Sequence, residues 1–153
     1  EEWLFFFCIP YACLFTHEVL KHYLPNFRLP KLATIVFTIF LLSISISIAL
    51  FNIEKWYTVI NFSTFAILIA YGLISHIATL QEYYPSFLVI LIPFLIVNGI
   101  LTGSFIDEPV VWYNNTENLG FRIFTIPIED FFYAFTMLFS SQLIFNYLIQ
   151  KKI

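Results

Sequence analysis

The sequence predicts an all-α fold, a polytopic bundle of about five transmembrane helices, and three observations predict it. Hydrophobic residues make up 60% of the 153 positions and charged ones only 11%, too few polar side chains for a water-soluble surface. The mean hydropathy is +0.86. The apolar residues fall in runs of roughly 20, the length at which an α-helix crosses a hydrocarbon core of about 30 Å. Short polar connectors separate these runs. A membrane strand needs only about half that length, so run length selects helices over a barrel.

The first span is expected at residues 2–24 and ends at KHYLPNFRLPK. There Pro25 and Pro30 break the helix, and Lys21, Arg28 and Lys31 mark a polar turn. A second span covers 32–51 and stops at NIEKW, and a third covers 57–80 and stops at QEYYP. The fourth is expected at 85–101 and the last at 128–149. Between them, only the segment 102–127 is long enough to have structure of its own outside the bilayer.

Five crossings put the chain ends on opposite faces. Lys21, Arg28, Lys31, Lys151 and Lys152 then share one face, and only Lys55 and Arg122 lie on the other. By the positive-inside rule the C-terminus is expected in the cytoplasm. The chain opens on Glu1 rather than Met, without a basic region and small-residue cleavage pattern, so a longer polypeptide with upstream helices is expected, and no signal peptide. Cys8 and Cys13 are five positions apart on one helix and face different ways, which makes them packing residues rather than a bridge. A net charge of −3 gives no footing for a nucleic-acid partner.

Sliding the chain against itself aligns EEWLFFFCIPYACLFTHEVL, from Glu1, with EDFFYAFTMLFSSQLIFNYL, from Glu129. Acids coincide at Glu1 with Glu129 and at Glu2 with Asp130, and aromatics at Trp3 with Phe131, Phe5 with Tyr133, and Phe7 with Phe135. Four crossings separate the two starts, so both acid pairs are expected at one membrane surface. Ordinary capping is one account of them, because a helix N-terminus stabilises negative charge. A functional account rests on Glu129, Tyr133, Thr136 and Ser140, which fall at helical spacing and predict a polar stripe toward a bundle interior or cavity. Glu2, Cys13 and His17 lie within a similar arc of the first helix, although His17 and Glu18 come close to its far end, where snorkelling or hydrogen bonding serves equally well.

The 102–127 segment holds Asp107, Glu108, Trp112, Tyr113, Asn114, Asn115, Glu117 and Arg122. It either folds down as a lid over the acids or remains a solvated connector anchored by its aromatic residues. Asn114-Asn115-Thr116 also meets the glycosylation pattern, one common by chance.

No Gly-rich phosphate loop, CxxC pair, HExxH or nucleophile elbow is present, and His17, His22 and His76 share no metal-ligand spacing. No cofactor or metal is therefore expected. What remains is carboxyl groups among aromatic rings, in a chain that is 21% aromatic. In a dry, apolar site a carboxyl group can hold a proton and deliver it. Facing hydrocarbon, with π-faces to stabilise a cation, it could protonate an alkene. The same acids could carry protons in a transporter, and composition leaves both open.

The sequence resembles the membrane-embedded lycopene cyclase domain family, the flavin-independent type of bacteria, archaea and bifunctional fungal carotenoid enzymes. Two copies of a Pro-x-Glu-Glu/Asp motif carry the resemblance. The second is complete in IPIEDFFYAF, and the first survives without its proline in EEWLFFFCIPYACLF. The stretch LTGSFIDEPVVWYNNTENLGFRIFTIPIED is similar to the family's second-repeat loop. On this resemblance residues 1–24 are the last helix of a truncated first repeat, 25–31 a cytoplasmic linker, and 32–153 the second repeat region with the polar loop at 102–127.

The resemblance implies lycopene β-cyclase activity, an isomerisation that closes a linear ψ end group into a β-ionone ring without net redox change. It carries the motif carboxylates onto Glu1, Glu2, Glu129 and Asp130, with Asp107 and Glu108 in a second tier. Acid and base are not distinguished, and one carboxylate could serve as both. The implied partners are lycopene or a related carotenoid, the lipid bilayer, and either upstream helices or a second cyclase subunit. The cytoplasmic membrane of a bacterium is the expected location. The competing readings are a proton-linked transporter, a non-catalytic membrane subunit, and a cyclase of longer carotenoids.

Overall fold

The computed structural model describes residues 2–104 and 108–151, with side chains from Phe7 onward. Its element order is α1 (Glu2–Tyr23), α2 (Lys31–Phe51), α3 (Trp56–Ser75), α4 (Ile77–Leu101), β1 (Arg122–Ile123), β2 (Ile126–Pro127) and α5 (Ile128–Gln150). The protein is an all-α membrane helix bundle, and α2, α3, α4 and α5 are each long and apolar enough to cross a bilayer. In hydrocarbon no water is available to satisfy a backbone group, so apolar runs of this length fold as helices that close their own hydrogen bonds. The hydroxyl side chains do the same, as Thr38 donates to the Thr34 carbonyl at 2.7 Å and Thr64 to that of Ile60 at 2.7 Å.

α5 packs against both α3 and α1, and α2 lies along α3. The centre is aromatic. Phe135 of α5 meets the rings of Phe65, Tyr83, Tyr84, Phe87 and Phe139, with centroids 5.0–5.7 Å apart, the spacing at which edge and face contacts are favourable. Across α2 and α4, the Thr38 and Tyr84 hydroxyls are 2.8 Å apart, a polar tie of the kind that orients membrane helices. Gly72 gives α3 its close approach to α4 and α5, since a Cβ there would sit 3.0 Å from Leu80 Cδ1 and Phe139 Cε1. Gly72→Val is accordingly expected to destabilise the bundle by about 1–3 kcal/mol. Thermal unfolding in detergent micelles measures this, and an unshifted midpoint would mean the contact has slack.

The turn between α3 and α4 differs from the sequence expectation. The third helix stops at Ser75, and α4 starts at Ile77, so QEYYP lies inside α4 rather than between spans. Pro85 is tolerated there for a tertiary reason. A proline has no N–H for the carbonyl one turn back, here that of Gln81. The Leu29 N–H, from the connector between α1 and α2, donates to that carbonyl at 2.9 Å, and Gln81 Nε2 donates back to the Leu29 carbonyl at 2.9 Å. The freed group is thereby satisfied.

Gln142 of α5 donates to Glu18 of α1 at 2.8 Å, and Cys13, Leu138 and Gln142 line one small gap between the two helices. Lys21 of α1 pairs with Glu82 of α4 at 2.8 Å. His17, one residue before Glu18, is buried against Tyr83 and makes no hydrogen bond among the described residues.

Candidate functional site

The site forms where the loop after α4 meets the first turn of α5. Pro127 is the N-cap of α5, with φ −58°, a value its ring fixes in advance. The β1–β2 hairpin delivers the chain to it, pairing Arg122 with Pro127 and Ile123 with Ile126. The next two acids, Glu129 and Asp130, are 0% and 4% exposed. Burial of two neighbouring carboxyl groups at the start of a membrane helix is costly unless donors surround them.

The donors come from three other parts of the chain. Glu129 Oε1 accepts the Thr58 hydroxyl at 2.8 Å and the Leu119 N–H at 2.7 Å. Asn61 Nδ2 donates to the backbone carbonyl of Glu129 at 2.8 Å. Asp130 Oδ1 accepts the Tyr57 hydroxyl at 2.7 Å, and Oδ2 accepts both Tyr113, at 2.5 Å, and Asn98 Nδ2, at 2.9 Å. α3 thus supplies Tyr57, Thr58 and Asn61, α4 supplies Asn98, and the loop supplies Tyr113 and the Leu119 amide. Glu129 Oε2 is buried and has no partner among the described residues. Asn61 Oδ1 and Asn118 Nδ2, on residues that bond Glu129 or adjoin one that does, share that condition.

Of the two sequence readings of the loop, the structure has it folded down onto both acids. Its ends are tied by hydroxyls: Thr125 lies 2.6 Å from Thr102 and 2.5 Å from Ser104. Arg122 donates to Asn115 Oδ1 at 2.6 Å and to the Thr125 carbonyl at 3.2 Å. Gly120 has φ +75°, a left-handed conformation that a glycine adopts without strain, and it lets the Gly120 N–H turn back to Asn118 Oδ1 at 2.8 Å. On the membrane side, Phe132 lies one turn beyond Glu129 and meets Phe62 and Phe65, with centroids 4.5 and 4.9 Å away. The donors around Glu129 thus give way, one helical turn further along α5, to an aromatic layer of Phe62, Phe65 and Phe132.

Not every expected residue joins this constellation. Glu1, Asp107 and the side chain of Glu2 lie outside the described residues. Glu108 is exposed and makes no hydrogen bond with Glu129 or Asp130. The polar stripe on α5 does not hold together. Tyr133 is 45% exposed, while Thr136 and Ser140 turn their hydroxyls onto the Phe132 and Thr136 carbonyls of their own helix, a bond that frees them from needing a cavity. Conversely, Tyr57, Thr58, Asn61 and Asn98 were not anticipated. Their one signal was polarity inside an apolar span, which by default marks a bundle-facing position.

Burial and the hydrogen bond to the neighbouring Asp130 carboxylate both push the Tyr113 phenol well above its usual range. Because the folded phenol holds its proton more tightly than an unfolded one, its contribution to stability is present below about pH 10 and is lost as pH rises beyond. The stability difference between the native protein and Tyr113→Phe should accordingly shrink above that pH. Parallel unfolding titrations of the two proteins measure it, and a constant difference would contradict the assignment.

Among the described residues, no group of three His, Cys, Asp or Glu gathers to hold a metal ion. A family model described as lycopene cyclase matches residues 54–148, more than half of the chain and including every residue of this site. No curated protein and no solved structure matches the chain.

Proposed function

The chain belongs to the lycopene cyclase family and is a membrane-embedded cyclase of carotenoids, and on that premise we propose that it closes linear ψ end groups of lycopene into β-ionone rings. The observation that carries this reading is the buried Glu129–Asp130 pair, ringed by hydrogen-bond donors, with the Phe62, Phe65 and Phe132 cluster beginning one turn further along α5.

In the proposed reaction a site carboxyl group gives its proton to the terminal double bond, forming a C–H bond and a tertiary cation. The neighbouring double bond then attacks that cation and closes the ring. Loss of a ring proton to a carboxylate restores the alkene and the starting state of the site, so the sequence is an isomerisation with no net redox change. Aromatic faces stabilise each cation through their quadrupoles. Exclusion of water prevents its capture as an alcohol. The proposed location is the cytoplasmic membrane of a bacterium, with a second cyclase subunit or additional helices completing the pocket.

Expression in a lycopene-accumulating bacterial host tests the activity. The expected outcome is conversion of red pigment to orange-yellow β- or γ-carotene, resolved by chromatography. Unchanged lycopene in the presence of inserted, folded protein and its completing helices would refute the reading. Selective conversion of longer acyclic carotenoids would keep the enzyme class and change the substrate.

A further inference from the structure

The two buried carboxyl groups are unequally occupied. Three side-chain donors from three elements, Tyr57, Asn98 and Tyr113, engage both oxygens of Asp130. A carboxylate accepts at both oxygens, whereas a protonated carboxyl must use one oxygen to donate. All three Asp130 partners donate in the observed pattern, so the surroundings of Asp130 suit the ionised form. Glu129 differs. Its Oε1 takes two donors and its Oε2 takes none among the described residues, although that oxygen is buried. A buried charge left partly unpaired is the costly arrangement, while a proton on Oε2 makes the same atom a neutral donor with nothing yet to donate to.

Resting on the cyclase reading above, we propose that Glu129 alone moves the proton, through Oε2, and that Asp130 is a fixed anion positioned by Tyr57, Asn98 and Tyr113. Thr58 and the Leu119 amide hold Oε1 and so direct Oε2 toward the substrate. The Glu129 O–H bond breaks as the substrate C–H bond forms. After ring closure, the ring C–H electron pair forms the new double bond and its proton returns to Glu129. Asp130 is passed over as base because both of its oxygens already accept hydrogen bonds, from three donors in all. Its charge stabilises the cation that forms and disappears within each turnover.

Two measurements on the full, membrane-inserted protein test this division, and one does not depend on turnover. Infrared spectroscopy should show a protonated-carboxyl band that Glu129→Gln removes and Asp130→Asn retains. A band removed only by Asp130→Asn, or absent from the native protein, would overturn the assignment even if cyclisation is confirmed. In steady-state assays, Asp130→Asn is expected to lower kcat about tenfold to a hundredfold and leave measurable turnover, whereas Glu129→Gln should lower it further, by up to about 10⁴-fold. Thr58→Val should lower kcat about tenfold with KM nearly unchanged, and Thr58→Ser, which restores the hydroxyl, should recover it. Equal loss in both Thr58 variants would show that only packing matters there. Native protein that retains the infrared band but converts no carotenoid would instead count against the cyclase reading and leave the location of the proton established.

Discussion

Replacing Glu129 with Gln is expected to abolish cyclisation, lowering the rate by at least about a hundredfold and by as much as about 10⁴-fold, while membrane insertion stays intact. The substitution is nearly isosteric. Gln keeps an amide oxygen where Oε1 accepts Thr58 and Leu119, so the contacts that seat the loop survive. What disappears is the atom able to gain and lose a proton, because the amide nitrogen takes the place of Oε2, which has no partner among the described residues. Carotenoid chromatography on cells making equal amounts of membrane-inserted variant and native protein provides the measurement. Retained conversion would remove Glu129 from the chemistry.

A second large effect is expected at Phe135, where truncation to Ala should cost about 3–5 kcal/mol of stability. Phe135 is 4% exposed and touches rings contributed by α3, α4 and α5 itself. Between membrane helices the driving force is dispersion and close packing, since lipid tails are as apolar as the core. Removing this ring strips one side of five others of partner atoms. Phe135→Leu fills part of the gap and should lose less. Unfolding in mixed detergent micelles separates the two, and an Ala variant as stable as native protein would mean the helices collapse onto the void.

The site also shows how a helix N-terminus can outgrow ordinary capping. Glu129 and Asp130 do sit in the first turn of α5, where the macrodipole favours acids. Exposed capping acids would satisfy that preference in water. These two are instead buried under the loop and hydrogen-bonded by α3 and α4, an arrangement that helix stability alone does not require.

The sequence by itself determined the membrane class, the five helices and the two acids opening the last of them. These follow from properties that one strand of sequence carries: run length against bilayer thickness, the polarity of connectors, and an acid pair repeated with its aromatic followers. Tertiary structure alone decided the rest. The α3–α4 turn moved to His76 because Leu29, far along the chain, satisfies the carbonyl that Pro85 leaves open. Tyr133 faces outward, and Thr136 and Ser140 find acceptors within their own helix, so the stripe their spacing suggests does not form. The partners of Asp130 stand 73, 32 and 17 positions away. No periodicity records such pairings, because hydrogen bonds between distant segments depend on where packing brings the helices, and that is a property of the folded chain.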